Sequence, residues 1–156
     1  MTILLARRLG VGWALLVGLG PVMLAAAPGD PPLQTFTGKV VRLAEWVEKH
    51  GGKLDADAAP VWLALATDDG RLYPLVKDAG SRMFFTDPAL LNRPMRLTGR
   101  LLPGSPLLQV LQVHSIVRGQ VHEVYYWCDI CAIKRFEKMA CECCGGPMEL
   151  REVPLP

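Results

Sequence analysis

The chain has 156 residues, 51% of them hydrophobic, and its 17 basic side chains nearly balance 15 acidic ones for a formal net charge of +2. That is one domain's worth of chain, enough for a modest core. The even charge balance argues against a general nucleic-acid binder, whose affinity rests mainly on neutralising phosphates.

At the start stand Arg7 and Arg8, an uncharged apolar run from Leu9, and Ala25, Ala26 and Ala27 ahead of a Pro-rich stretch. This basic, apolar, small-residue order predicts a secretory signal over residues 1–27. Pro21 would break the helix just upstream of the alanines, where a peptidase needs extended chain. An uncleaved N-terminal anchor over residues 9–27 is the alternative, because about 20 apolar residues are just enough to span a bilayer. The arginine pair by itself is weak evidence for twin-arginine export. The expected location is therefore periplasmic or extracellular, with membrane contact only through an uncleaved leader. Without Arg7 and Arg8, 15 basic residues face 15 acidic ones, so the exported part is formally neutral.

Residues 28–34, with Pro28, Pro31 and Pro32, read as a linker. Over residues 35–120 the chain reads as short strands with one or two small helices. "TFTGKVVRL" alternates and carries β-branched residues, which predicts a first strand. "LAEWVEKHGG" then places Leu43, Trp46, Val47 and His50 at helical spacing, with Gly51 and Gly52 as a stop. In "PVWLALATDDGRLYPLVKD" two apolar runs flank Asp68, Asp69 and Gly70, which suit a tight turn. Pro74 marks the second run as an edge or bulged strand. "SRMFFTDPALLNRP" predicts a helical segment, with Asp87 as N-cap, Pro88 at its first position and Pro94 as its end. "MRLTGRLLPGSPLLQVLQVHSIV" supplies two more strands around a turn at Gly104 to Pro106. A helix between the third and fourth of five strands is the order of the OB-fold, a small partly open Greek-key barrel. The expected fold is thus mainly β: an OB-like five-stranded barrel, followed over residues 121–156 by a small zinc-ribbon-like hairpin tail. A small β-sandwich or roll is the rival.

All five cysteines lie in that tail. Cys128 with Cys131, and Cys141 with Cys144, form two C-x-x-C pairs separated by nine residues. Two such pairs on two turns can aim four thiolates at one centre, the sulfur-rich tetrahedral set that zinc accepts. Gly145 directly after Cys144 suits the tight turn of a metal knuckle. The intervening "AIKRFEKMA" can run out and back as a short hairpin, although nine residues is fewer than the about 15 to 20 of the usual ribbon. Lys134, Arg135 and Lys138 could offset the negative charge of a zinc tetrathiolate. Cys143 is left over, either as a spare thiol or as a replacement for Cys141 or Cys144. Disulfides in an oxidising compartment, a thiol redox centre and a copper site drawing on Met139 or Met148 stay open beside zinc. Haem attachment does not, since position 132 is Ala.

No catalytic set stands out. His50, His114 and His122 are scattered, with His122 conceivable as an auxiliary metal ligand only if a cysteine dropped out. Asp55, Asp57, Asp68 and Asp69 sit among turn-forming residues, and motifs for nucleophilic serine, phosphate or HExxH zinc chemistry are missing. Tyr125, Tyr126 and Trp127 could stack on a base or sugar, but aromatics beside a metal knuckle more often pack its hairpin.

The runs "HEVYYWCDICAIKRFEKMACECCGGPMELRE", "TDDGRLYPLVKD", "SRMFF" and "LLNRPMRLTGRLLPG" together resemble an uncharacterised family of exported bacterial proteins with an OB-like β-barrel and a C-terminal zinc-ribbon-like cysteine cluster. The resemblance covers most of the chain after the leader and implies no particular reaction. The expectation is a non-catalytic binding or interaction module with a structural zinc on Cys128, Cys131, Cys141 and Cys144. Its partner would be a protein, another envelope component or an oligosaccharide, met at the faces of "VWLALAT" and "RLYPLVK" with Trp62 and Tyr73. The alternative is an envelope protein that handles metal or thiols through the cysteines themselves.

Overall fold

The computed structural model describes residues 29–55, 57–58 and 61–156. The leader expected over residues 1–27 lies outside the described residues, among which no helix is long and apolar enough to cross a membrane. The chain is mainly β. Its strands are β1 (Gln34–Arg42), β2 (Leu63–Thr67), β3 (Leu72–Pro74), β4 (Pro94–Leu101), β5 (Leu108–Val117), β6 (Gln120–Cys128), β7 (Ile133–Arg135) and β8 (Glu149–Pro154). Two short helices, α1 (Leu43–Lys49) and α2 (Arg82–Thr86), and a 3₁₀ turn at Pro88–Leu90 complete the set.

All eight strands join one antiparallel sheet in the order β3-β2-β1-β4-β5-β6-β7, with β8 also on β6. β5 pairs with Gln120–Glu123 of β6, β7 with Tyr126–Cys128, and β8 with His122–Trp127. Because a strand has only two edges, β5 and β7 share one edge of β6 in succession and β8 takes the other. β6 therefore belongs at one end to the main sheet and delivers Cys128 at its other end.

The turn at Asp68–Gly70 forms as its residues predict. Gly70 has φ +81°, its N–H donates to Thr67 O at 3.0 Å, and the Thr67 N–H donates to Arg71 O at 2.9 Å. Pro74 ends β3, the outermost strand at that end of the sheet, where a missing ladder donor is tolerated. The second run of this hairpin departs from expectation, since only three residues pair before the chain leaves β2. Leu75 then makes an isolated parallel bridge to Leu108, and the Val76 N–H donates to Leu108 O at 3.0 Å. That single bridge between the β3 end and β5 does not close the sheet into the expected barrel.

The helical segment expected over residues 81–94 also breaks, at Asp87. Pro88 disfavours helical backbone in the residue before it, and Asp87 is extended at φ −130°, ψ 101°. Its carboxylate then caps the 3₁₀ turn, accepting the Ala89 N–H at 3.1 Å. α1 forms as read but buries no residue fully.

The core lies on one face of the sheet, under α2 and the 3₁₀ turn. It gathers Phe36, Val40, Leu63, Leu65, Tyr73, Leu75, Met83, Phe84, Leu90, Met95, Leu97, Leu108, Val110, Val124 and Tyr126. Alternation along β1 explains its share: Phe36, Gly38 and Val40 point in while their neighbours point out. Phe36 meets Tyr73 edge to face at 5.0 Å between ring centroids, a geometry worth about 0.5–1.5 kcal/mol beyond area burial. β4 and β5 slip register between Thr98 and Gly99, so that Leu111 is the extra residue of a bulge and stands 46% exposed. Gly99 permits the close approach there, because a Cβ in its place would lie 2.2 Å from Gln109 O.

Candidate metal centre

Cys128 ends β6 and starts the first knuckle; Cys141 starts the second. In each, the residue four positions on takes left-handed backbone and closes the turn onto the first cysteine. Ala132 (φ +53°) donates its N–H to Cys128 O at 2.8 Å, and Gly145 (φ +70°) donates to Cys141 O at 2.7 Å. Backbone N–H groups also point at the leading sulfurs: those of Ile130 and Cys131 at Cys128, and those of Cys143 and Cys144 at Cys141. The two knuckles are thus local copies of one another. Gly145 carried that signal in the sequence, whereas Ala132 occupies the equivalent position with a residue that gives no hint of it.

The copies face each other and bring together the four cysteines expected to act as ligands. The Sγ atoms of Cys128, Cys131, Cys141 and Cys144 all lie within 4.8 Å of one another, and all five cysteines are free thiols. Cys128 and Cys144 are 3.6 Å apart. A disulfide requires about 2.05 Å, while four sulfurs about 2.3 Å from a central zinc stand about 3.8 Å apart. The spacing is that of a metal tetrahedron, and this cluster could hold a metal ion. Cys128 and Cys141 are buried, Cys131 is half-buried and Cys144 exposed, so the set is sealed on the protein side and open toward solvent.

Electrostatics distinguish the thiols. The Cys144 and Cys143 N–H groups bring the Cys141 thiol down to about 6, which makes it the readiest thiolate of the set. Cys131 is pushed up, first by the Cys143 thiol beside it and then by burial. At Cys128 the Cys131 N–H pulls downward, but burial and the neighbouring thiols outweigh it and the net shift is upward. Cys143 lies outside the group of four, exposed on the second knuckle.

The segment between the knuckles does not run out and back as a hairpin. The left-handed turn at Ala132 reverses the chain so that Ile133, Lys134 and Arg135 pair with Cys128, Trp127 and Tyr126 of β6. The return arm forms no strand and is held by side chains instead. Lys138 Nζ donates to Asp87 Oδ1 at 3.2 Å, and Arg82 pairs with Glu137 at 3.2 Å. Nor are the three cations free to offset thiolate charge, since Lys134 pairs with Glu123, Arg135 with Glu142 and Lys138 with Asp87.

Asp87, only 4% exposed, is the residue that sequence reasoning credited with a cap and nothing more. Besides the Ala89 N–H and Lys138 it accepts the Tyr126 hydroxyl at 2.9 Å. Burial pushes its carboxyl up, but the Ala89 N–H, the Tyr126 hydroxyl and Lys138 together hold it below the usual carboxylate range. Burial and the Asp87 charge push the Tyr126 hydroxyl far above its ordinary value, so it stays a donor.

Other candidates lie elsewhere. Tyr73 is in the core and Trp62 is 45% exposed. His122 Nδ1 contacts Gln120 O at 2.9 Å, and His50 stacks on Trp46 at 3.8 Å. Asp69 serves its turn, bonded to Arg71 and Thr67, which hold its carboxyl well below the usual range. Met148 packs against the core and Met139 is exposed. Tyr126 is buried, while Tyr125 and Trp127 lie on the outer face under Lys134 and Arg151. A cleft of about 520 Å³ opens between the Asp78–Gly80 turn, β5 and the between-knuckle segment, lined in part by Met83, Leu111, His114, Glu123 and Phe136. His114 Nδ1 is buried there without a partner, and burial, then Arg96, lowers the pKa of its ring. Compared with known protein families, curated proteins and solved structures, the chain matches none.

Proposed function

We propose that this chain is an exported, non-catalytic binding module whose zinc-ribbon-like tail is locked by one zinc ion on Cys128, Cys131, Cys141 and Cys144. The observation that carries the reading is the convergence of two equivalent knuckles on four thiols within 4.8 Å of one another. Four thiolates fill a tetrahedral ion and leave no position for substrate, which marks a structural rather than a catalytic zinc. The strand order β3-β2-β1-β4-β5, α2 between β3 and β4, and the Leu75–Leu108 bridge support an OB-like barrel for the main sheet. Its partner is a protein, an oligosaccharide or another envelope component. The alternative, metal or thiol handling, draws support from the solvent exposure of Cys143 and Cys144.

Elemental analysis of purified wild type, Cys131→Ser and Cys143→Ser tests the assignment. About one zinc per chain should remain in wild type and Cys143→Ser and be lost from Cys131→Ser, with destabilisation of the tail. Equal loss from both variants rejects the ligand set. Catalytic thiol exchange by the wild-type protein, or rapid zinc transfer to an acceptor, would reject the binding-module reading in favour of the alternative.

A further inference from the structure

The fifth cysteine is placed where it can act on the other four. Cys143 is exposed and stands between the ligand cysteines Cys141 and Cys144 in one turn. Its thiol interacts with that of Cys131, which comes from the opposite knuckle and is only half-buried. Cys128 and Cys141, by contrast, are buried against the protein. The solvent side of the cluster therefore holds one thiol outside the tetrahedral set in contact with one inside it.

We propose that Cys143 is a thiolation site for low-molecular-weight disulfides, and that its modification ejects the metal by withdrawing Cys131. The inference rests on the zinc assignment above. In the first step the Cys143 thiolate attacks a disulfide R–S–S–R, forming Cys143–S–S–R and releasing one R–S⁻. In the second, the Cys131 sulfur leaves the metal and attacks the Cys143 sulfur, forming a Cys131–Cys143 disulfide and releasing the second R–S⁻. Two cysteine thiolates are oxidised and one small disulfide is reduced to two thiolates, so electrons and sulfur balance. Only Cys128, Cys141 and Cys144 then remain to the metal, an incomplete set for a tetrahedral ion.

Exchange begins at Cys143 because it is solvent-accessible and unencumbered by metal, whereas Cys144, also exposed, is a ligand. Resolution falls to Cys131 because it is the ligand thiol that meets Cys143 across the two knuckles. The other ligand cysteines of the second knuckle, Cys141 and Cys144, lie only two residues and one residue from Cys143, too close in the chain for an easily closed disulfide loop.

The test uses the full chain loaded with zinc and treated with glutathione disulfide, while a chromophoric chelator reports released metal and peptide mass spectrometry maps disulfides. Wild type should release its zinc and carry a Cys131–Cys143 link. Cys143→Ser should release zinc about tenfold more slowly or less, since attack must then start at a metal-held thiolate. Equal release from Cys143→Ser, a disulfide within the four-ligand set, or glutathione retained on Cys143 with zinc still bound would each overturn the proposal. Zinc content before oxidant is added reads the structural-zinc assignment by itself, so failure there is separate from failure of exchange at Cys143.

Discussion

Ala132 and Gly145 do the same work with different residues. Left-handed backbone costs an L-residue with a Cβ about 1–2 kcal/mol, and glycine gives back part of that advantage through its greater freedom when unfolded. Ala132→Gly should therefore stabilise the zinc-loaded protein by about 0.5–1 kcal/mol, and Gly145→Ala should destabilise it by a similar amount. No atom lies within 4 Å of a Cβ built on Gly145, so backbone strain alone is at issue there. Thermal unfolding of the two variants, whose shifts should have opposite signs, checks both. Tyr126→Phe probes a different kind of residue. It strips a buried carboxylate of a hydroxyl donor and should cost about 2 kcal/mol near neutral pH, the range for hydrogen bonds to charged groups. The pH dependence has a definite sign. Asp87 is held below its ordinary value in the folded protein, so its contribution is complete above the unfolded pKa, about 3.9, and is lost as pH falls through the lower folded value. Removing the Tyr126 donor moves the folded value back upward. Urea-unfolding curves of wild type and Tyr126→Phe should accordingly differ most near neutrality and converge as the medium is acidified below about pH 4.

Among the elements, β6 carries the most. Its first residues pair with β5, its last with β7, and nearly its whole length with β8. Removal of metal by a chelator should free the knuckles and β7, which has only three paired residues, while β1, β4 and β5 keep their ladder. Hydrogen exchange should show protection lost over residues 129–147 and at the Cys128 end of β6, with the β4–β5 ladder still protected. Uniform loss through the sheet would mean that the tail and sheet unfold as one unit. What was legible beforehand follows the same division. The four cysteines could be read because ligand spacing is local, three residues apart within each pair, and β1, α1 and the Gly70 turn could be read from periodicity and turn residues. The break at Asp87 was missed because "SRMFFTDPALLNRP" keeps helical composition across Pro88. β7 was misread because the turn that folds it onto β6 is made by an alanine. Asp87's partners Tyr126 and Lys138 lie 39 and 51 residues away, beyond any local pattern.

For the molecule as a whole, those distant contacts decide how the tail sits on the sheet. Arg82–Glu137 is a partly exposed ion pair of the kind worth little in water. Lys138–Asp87 differs because its acidic member is buried and also bonded to Tyr126 and Ala89. Lys138 stands between the two cysteine pairs, so a metal that joins the pairs turns its segment into a closed ring with fewer conformations to lose on docking. Coupling of that kind runs equally in both directions. The factor by which metal tightens the grip of Lys138 on Asp87 is the factor by which that grip raises affinity for the metal. Asp87→Asn should therefore weaken zinc binding in a competition titration, although no atom of Asp87 touches a sulfur of the cluster.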